Sequence, residues 1–245
     1  MSKMGERCFV ENMIKDVNNK RCWRGNLKSK NSILLFGDSH SAHFIPFFDI
    51  LSKVMDFKYF NWAVPAEVPC IYETENPFFK SLVQKIPEFD KIVFAAFWRK
   101  YSTDEFNCLR RMFDRFLKEK KKVMLIGSIP KFPDFLQFSC PATRPKDGPY
   151  LKCDHKYSVK SLKDKNDLGL QRNRFLRSVA SLKDDLFYWS INHFICQGGI
   201  CSYYYKNVRL YSDNNHFSFG GLTLLTQDYL NNNGIPQSFK EFLSN

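Results

Sequence analysis

The 245-residue chain predicts an α/β fold, a mostly parallel sheet with helices on both faces. Two observations carry this. Five apolar runs have strand length, and segments of helical periodicity lie between them. Strands that alternate with helices pair in parallel and bury both faces of the sheet. Right-handed crossovers then bring the carboxyl ends of the strands to one edge, where ligands bind in such sheets. The length suits one sizeable domain.

Taken in order, residues 1–31 precede the first strand and carry Cys8 and Cys22, which reads as a disulfide-stapled lead-in. The predicted strands are 33–36, 59–64, 91–97, 123–128 and 186–189. The helix predicted at 42–55 places Phe44, Ile45, Phe47, Phe48, Leu51 and Val54 on one apolar stripe. That at 104–118 does the same with Phe106, Leu109, Met112, Phe113, Phe116 and Leu117. Weaker stripes predict helices at 168–182 and 217–231. Residues 131–165 are rich in Pro, Lys and Asp and too long for an ordinary connection. They read as an insertion over the active edge within a catalytic domain of 32–235, and 236–245 reads as a C-terminal tail.

Composition narrows the functional classes. The net charge is +12, but the lysines are scattered and no aromatic-plus-basic RNA-binding signature appears. The charge reads as a solvated surface suited to a negatively charged envelope, and no nucleic-acid partner is expected. No apolar run reaches membrane-spanning length, and residues 1–8 are polar and charged without a signal-peptide pattern, so the chain by itself is expected to be soluble. The eight cysteines form no CxxC pair, which argues against a zinc ribbon. They fall into local couples, Cys8 with Cys22, Cys140 with Cys153 and Cys196 with Cys201, which favours disulfides and an oxidising compartment. Eight cysteines allow 105 connectivities; Cys70 and Cys108, each shortly after a strand that ends at the active edge, read as the remaining pair.

Two motifs carry chemistry. Gly37-Asp38-Ser39-His40 directly follows the strand 33–36, so Ser39 stands at a strand's carboxyl end. Asp213-Asn214-Asn215-His216 lies far downstream. A serine hydroxyl becomes a nucleophile only when a base takes its proton, and a histidine near neutral pKa can take it and return it. An aspartate three residues earlier can reach the other ring nitrogen across one turn, fixing tautomer and orientation. The candidate catalytic set is therefore Ser39, Asp213 and His216. Gly37 permits the sharp turn, and Asp38 can accept backbone N–H groups there. His40 and His43 flank the serine on the first helix; His40 can line the pocket, and His43 reads as a helix-surface or core residue. His155 and His193 lie in loop-like surroundings near cysteines. No histidine cluster has metal-ligand spacing, so no metal is expected.

These residues resemble a known family. The run from Ile33 to Ala42 is similar to the first block of SGNH hydrolases, and that from Tyr211 to Ser218 to their last. More narrowly, the chain resembles the SGNH domain fused behind acyltransferase-3 membrane domains. It shares a cysteine couple ahead of the first strand, a histidine after the serine, Ala96-Phe97-Trp98 at the end of the third strand and a cysteine couple before Asp-x-x-His. The resemblance covers roughly residues 7–232. It implies a three-layer α/β/α sandwich with Ser39 as nucleophile, His216 as base and Asp213 as its orienter. It also implies O-acetylation of a cell-envelope carbohydrate such as lipopolysaccharide O-antigen. The acetyl group would come from acetyl-CoA through an acyltransferase-3 membrane domain in cis or in trans, with no cofactor bound to this domain. The setting implied is the periplasmic side of the inner membrane. The chain departs from the general pattern at the oxyanion hole, because neither the second-block glycine nor the third-block asparagine is present. The Ser39 backbone N–H remains as a donor, and Asn61, Trp98 and Arg99 are candidates for a second. The same triad would serve a carbohydrate esterase, while the missing oxyanion residues would suit a non-catalytic glycan-binding module.

Overall fold

Along the chain come strands β1 (Trp23–Gly25), β2 (Ser32–Gly37), β3 (Lys58–Ala63), β4 (Lys91–Ala95), β5 (Lys122–Ile126), β6 (Lys156–Ser158) and β7 (Leu186–Trp189). In this computed structural model all but β6 join one sheet, in the order β1-β3-β2-β4-β5-β7. The structure describes residues 22–64, 67–132, 140, 156–158, 168–197 and 200–244. Cys8, Cys153, His155 and most of the insertion at 131–165 lie outside them. The sheet is parallel except for β1, which pairs antiparallel with β3. The end of the lead-in is thus a strand of the sheet.

Two helices, α1 (Ser39–His43) and α2 (Ile45–Val54), connect β2 to β3, and α3 (Pro77–Lys85) connects β3 to β4. Next come α4 (Thr103–Lys118) and α5 (Leu168–Ala180), each returning to a parallel strand. Strand alternation sorts the side chains into two cores. Ile33, Leu35, Val93, Met124 and Trp189 face α2, while Leu34, Phe36, Ile92, Phe94 and Leu125 face α3, α4 and α5. Strand order reverses at β2, because the chain leaves β2 for β3 on one side and returns past it to β4 on the other. The two crossovers cover opposite faces, which leaves a crevice at the carboxyl end of β2.

After β7 the chain passes α6 (Asn192–Ile195) and the short strands β8 (Cys196–Gln197), β9 (Ile200–Ser202), β10 (Tyr204–Tyr205) and β11 (Val208–Arg209). It closes with α7 (Phe219–Asn233) and α8 (Gln237–Leu243) on the α2 face. Leu222 and Leu225 of α7 and Phe239 and Phe242 of α8 are buried there; Phe239 packs against Phe47 and Trp189. The segment expected as a tail is therefore a core helix.

Among the boundaries that differ from expectation, three have a clear physical reason. The helix expected at 42–55 is two helices, because Pro46 cannot donate to the ladder and its ring crowds the preceding turn, so the chain restarts at Ile45. Strand β4 stops at Ala95 rather than 97, because the Asp38 side chain takes the Phe97 N–H. Strand β5 stops at Ile126 because Asn173 satisfies both backbone groups of Ser128.

Cys70 bonds Cys108 and Cys196 bonds Cys201, as expected. Cys22 and Cys140 are also disulfide-bonded, and no described cysteine is free. The Cys70–Cys108 link spans 38 residues. On the chain-entropy account a loop of that size stabilises the fold by about 4 kcal/mol. Among the described residues no helix is long and apolar enough to cross a membrane.

Candidate active site

The site begins at the end of β2. Gly37 has φ +153°, and a Cβ there would stand 1.8 Å from the Ala95 carbonyl oxygen, so only glycine fits between β2 and β4. Asp38 follows as the N-cap of α1. One of its carboxylate oxygens accepts the His40 N–H at 2.8 Å. The other accepts the Phe97 N–H at 2.9 Å and the Tyr101 hydroxyl at 2.7 Å. Asp38 is buried, so these three bonds tie the serine turn to the loop after β4. Burial, with the Asp38 carboxylate beside it, pushes the Tyr101 phenol well above its ordinary pKa, so it stays a donor.

Ser39 opens α1 and is half-buried. As the first helical residue it holds its backbone N–H outside the helical ladder. His216 reaches it from the segment between β11 and α7. There Tyr211 and Phe217 form a bridge, and the Ser212 N–H donates to the His216 carbonyl at 2.8 Å. Behind this turn α7 starts with Ser218 as N-cap, whose hydroxyl accepts from the Gly221 N–H and donates to the Arg209 carbonyl. The turn is thus fixed at both ends.

The His216 Nε2 lies 2.8 Å from Ser39 Oγ, and Nδ1 lies 2.8 Å from Asp213 Oδ2. The other Asp213 oxygen accepts the N–H groups of Asn215 at 2.8 Å and His216 at 2.7 Å. Burial alone would raise the Asp213 pKa; these hydrogen bonds outweigh it and hold the carboxyl below its ordinary value. An ionised carboxylate only accepts, so Nδ1 carries the ring proton and Nε2 is left to accept the Ser39 hydroxyl. The three residues named from the sequence stand in hydrogen-bonded series across 177 positions of chain.

Two further histidines pack against His216. The His40 ring stacks on Phe97 at 4.7 Å and lies 4.8 Å from the His216 ring; His43 lies 5.7 Å from His216 and 5.0 Å from Phe217. Both are buried. Burial, partly opposed by Asp38, lowers the His40 pKa to about 4. Burial and then the neighbouring rings push His43 well below the ordinary histidine value. His40 therefore backs the His216 ring rather than lining an open pocket. The expectation of no histidine cluster is corrected here, because one nitrogen from each of His40, His43 and His216 lies within 4.8 Å of the others. The signal was the spacing of 40 and 43, one turn of helix; that His216 joins them was set by tertiary structure.

Of the remaining candidates, Trp98 is turned away from the serine. The Trp98 indole N–H donates to the Ile126 carbonyl at 2.7 Å inside the core, so it is spent and cannot serve an oxyanion. Arg99 lays its guanidinium against the backbone of Gly169, near the start of α5. Asn61 is buried within β3 opposite Leu35, and no described hydrogen bond joins it to the triad. His193 is exposed at the rim of a groove by β7, among Arg177, Tyr188 and Ser190. Sequence reading missed Tyr101 and the Phe97 N–H, the two distant partners of Asp38; nothing in their spacing marks them.

A parallel α/β/α sandwich that holds Ser, His and Asp in this series at its switch point has the frame of a serine esterase or acyltransferase. The family model described as "SGNH domain (fused to AT3 domains)" matches residues 7–231, and the chain belongs to that family. A search of curated proteins finds no match.

Proposed function

We propose that this domain transfers an acetyl group through Ser39 to a hydroxyl of a cell-envelope carbohydrate such as lipopolysaccharide O-antigen. The observation that carries the reading is the continuous Ser39–His216–Asp213 series in a domain of a family fused to AT3 domains. Ser39 Oγ attacks the acyl carbonyl carbon while His216 Nε2 takes its proton. The leaving group departs with that proton, and an acyl-Ser39 ester remains. A sugar hydroxyl then gives its proton to His216 as its oxygen attacks the ester carbonyl. Collapse returns the proton to Ser39 and releases the acylated sugar. Asp213 stabilises the imidazolium in both halves. The donor group would be handed over by an acyltransferase-3 membrane domain, with no cofactor held here. The bonded cysteines and the +12 charge support an extracytoplasmic setting beside an anionic envelope.

A second reading is hydrolysis by the same triad. It is favoured by the accessibility of the site, since 29 % of the His216 side-chain surface is open to solvent and water can compete for the ester. The test is single-turnover deacylation of the acetyl-enzyme with and without O-antigen polysaccharide, followed by mass spectrometry of the glycan. Acetylated glycan with faster deacylation supports transfer. Acetate release indifferent to glycan supports the esterase. No acyl-enzyme with any donor, and no labelling of Ser39 by an organophosphate, would refute both and leave a glycan-binding module.

A further inference from the structure

We propose that His40, His43 and His216 form a site for a borderline-soft divalent cation such as Zn²⁺, which competes with the Ser39 hydroxyl for His216 and reversibly blocks the triad. The blocking rests on the reading of Ser39 as nucleophile; the site itself does not. Three imidazole nitrogens, one from each ring, lie within 4.8 Å of one another. The His40 Nε2 and both His43 nitrogens are buried without a hydrogen-bond partner. His40 is 3 % exposed and His43 9 %, and the Asn215 side chain faces the His40 ring. Other buried polar atoms also lack a partner, such as the Trp62 and Trp189 indole nitrogens, but the histidine nitrogens differ in standing among other imidazoles. Packing against Phe44, Phe97 and Phe217 would be met as well by an apolar side chain; a lone pair aimed among other imidazoles has a use that packing lacks.

The donor set is the one zinc takes in three-histidine sites, which keep a fourth position open. Zinc–nitrogen bonds of about 2.0–2.1 Å need the nitrogens roughly 3.3 Å apart, so small side-chain rotations close the cluster. The supporting shell is present too. Asp213 accepts from His216 Nδ1, the carboxylate–histidine arrangement that turns Nε2 toward a metal. Of the three rings, that of His216 meets solvent, which gives an ion access to the cluster. Once bound, the ion occupies the lone pair that would take the serine proton, and the base is lost with no covalent change. The other described cluster, Cys70, Glu73 and Cys108, does not compete, because its two sulfurs are joined in a disulfide.

The test is calorimetric titration of tag-free, chelator-stripped protein with Zn²⁺, repeated with Co²⁺ and read by its visible spectrum. One ion per chain and the intense bands of tetrahedral Co²⁺ are expected. His40→Gln and His43→Gln, with fold checked by thermal melting, should each weaken binding by about tenfold or more, and Asp213→Asn by about 10–100-fold. His193→Gln should leave it unchanged, and Ser39→Ala should still bind. Zn²⁺ should slow organophosphate labelling of Ser39, and EDTA should restore it. Absence of binding at micromolar Zn²⁺, or binding indifferent to both His40→Gln and His43→Gln, would overturn the site. If neither variant folds, an octahedral Co²⁺ spectrum does so. Labelling at an unchanged rate with the ion bound would overturn the competition. If Ser39 is never labelled, metal or not, the nucleophile reading fails while the titration still decides the site.

Discussion

Replacing Asp38 by Asn tests the claim that one buried carboxylate fixes the serine turn. Asp38 accepts three hydrogen bonds, from the His40 N–H, the Phe97 N–H and the Tyr101 hydroxyl. An amide offers one oxygen and two donors, so at least one of those three groups must face an N–H₂. If the oxygen stays with Phe97 and Tyr101, the cap of α1 is lost, at a cost of about 1 kcal/mol. Because the opposed His40 N–H is that cap bond and is buried, the loss can reach about 3 kcal/mol. A loss of about 1–3 kcal/mol lowers the melting temperature of a chain this size by roughly 2–12 °C. Tyr101→Phe removes one bond and leaves the carboxylate two, so it should cost less. The double variant should show coupling, since both changes act on the same carboxylate. The assay is thermal melting of the four proteins beside the rate of Ser39 labelling by an organophosphate. Labelling should slow in Asp38→Asn even below its melting range, because Ser39 is the next residue on the turn. A variant that melts within a degree of the parent and labels at the parent rate would refute the reasoning.

Asp213→Asn should leave the fold intact and lower acyl transfer by about 10⁴-fold, because an amide presents the wrong group to Nδ1 and allows the wrong tautomer; single-turnover acylation measures it. Gly37→Ala should give little soluble protein, since its Cβ would stand 1.8 Å from the Ala95 carbonyl and no side-chain rotation relieves a backbone contact; expression and circular dichroism decide. In chelator-containing buffer, stability should fall as pH drops from 6.5 toward 4. Unfolded histidine protonates near 6.5, whereas folded His40 does so only near 4, so the unfolded chain binds more protons throughout that window. His40 alone contributes about 3 kcal/mol of this loss, His43 adds in the same direction, and a melting temperature flat across the window would contradict both burials.

Strands β2 and β7, both chemical motifs and the stripe of α4 were legible because each is local. An apolar run, a period of 3.6 and an Asp three residues before a His are properties of adjacent residues. The triad was named from sequence for the same reason: each half is a short motif, and chemistry dictates that the halves meet. Boundaries were missed where a distant side chain took a backbone group, as Asp38 does at Phe97 and Asn173 at Ser128. Helix α8 was missed because its seven residues carry too few apolar positions for a periodic signal.

Sequence by itself therefore determined the fold class, the identity of Ser39, Asp213 and His216, and two cysteine pairs that the structure forms. Tertiary structure alone decided what stands around them. It withdrew Trp98 into the core, where packing against Phe94 and Phe106 turns its indole N–H to the Ile126 carbonyl. It gave Asp38 the Tyr101 hydroxyl from 63 residues away and laid His40 and His43 against His216. Neither arrangement leaves a trace in local spacing, because each depends on β2 and β4 being neighbours and on the last helices folding back over α2.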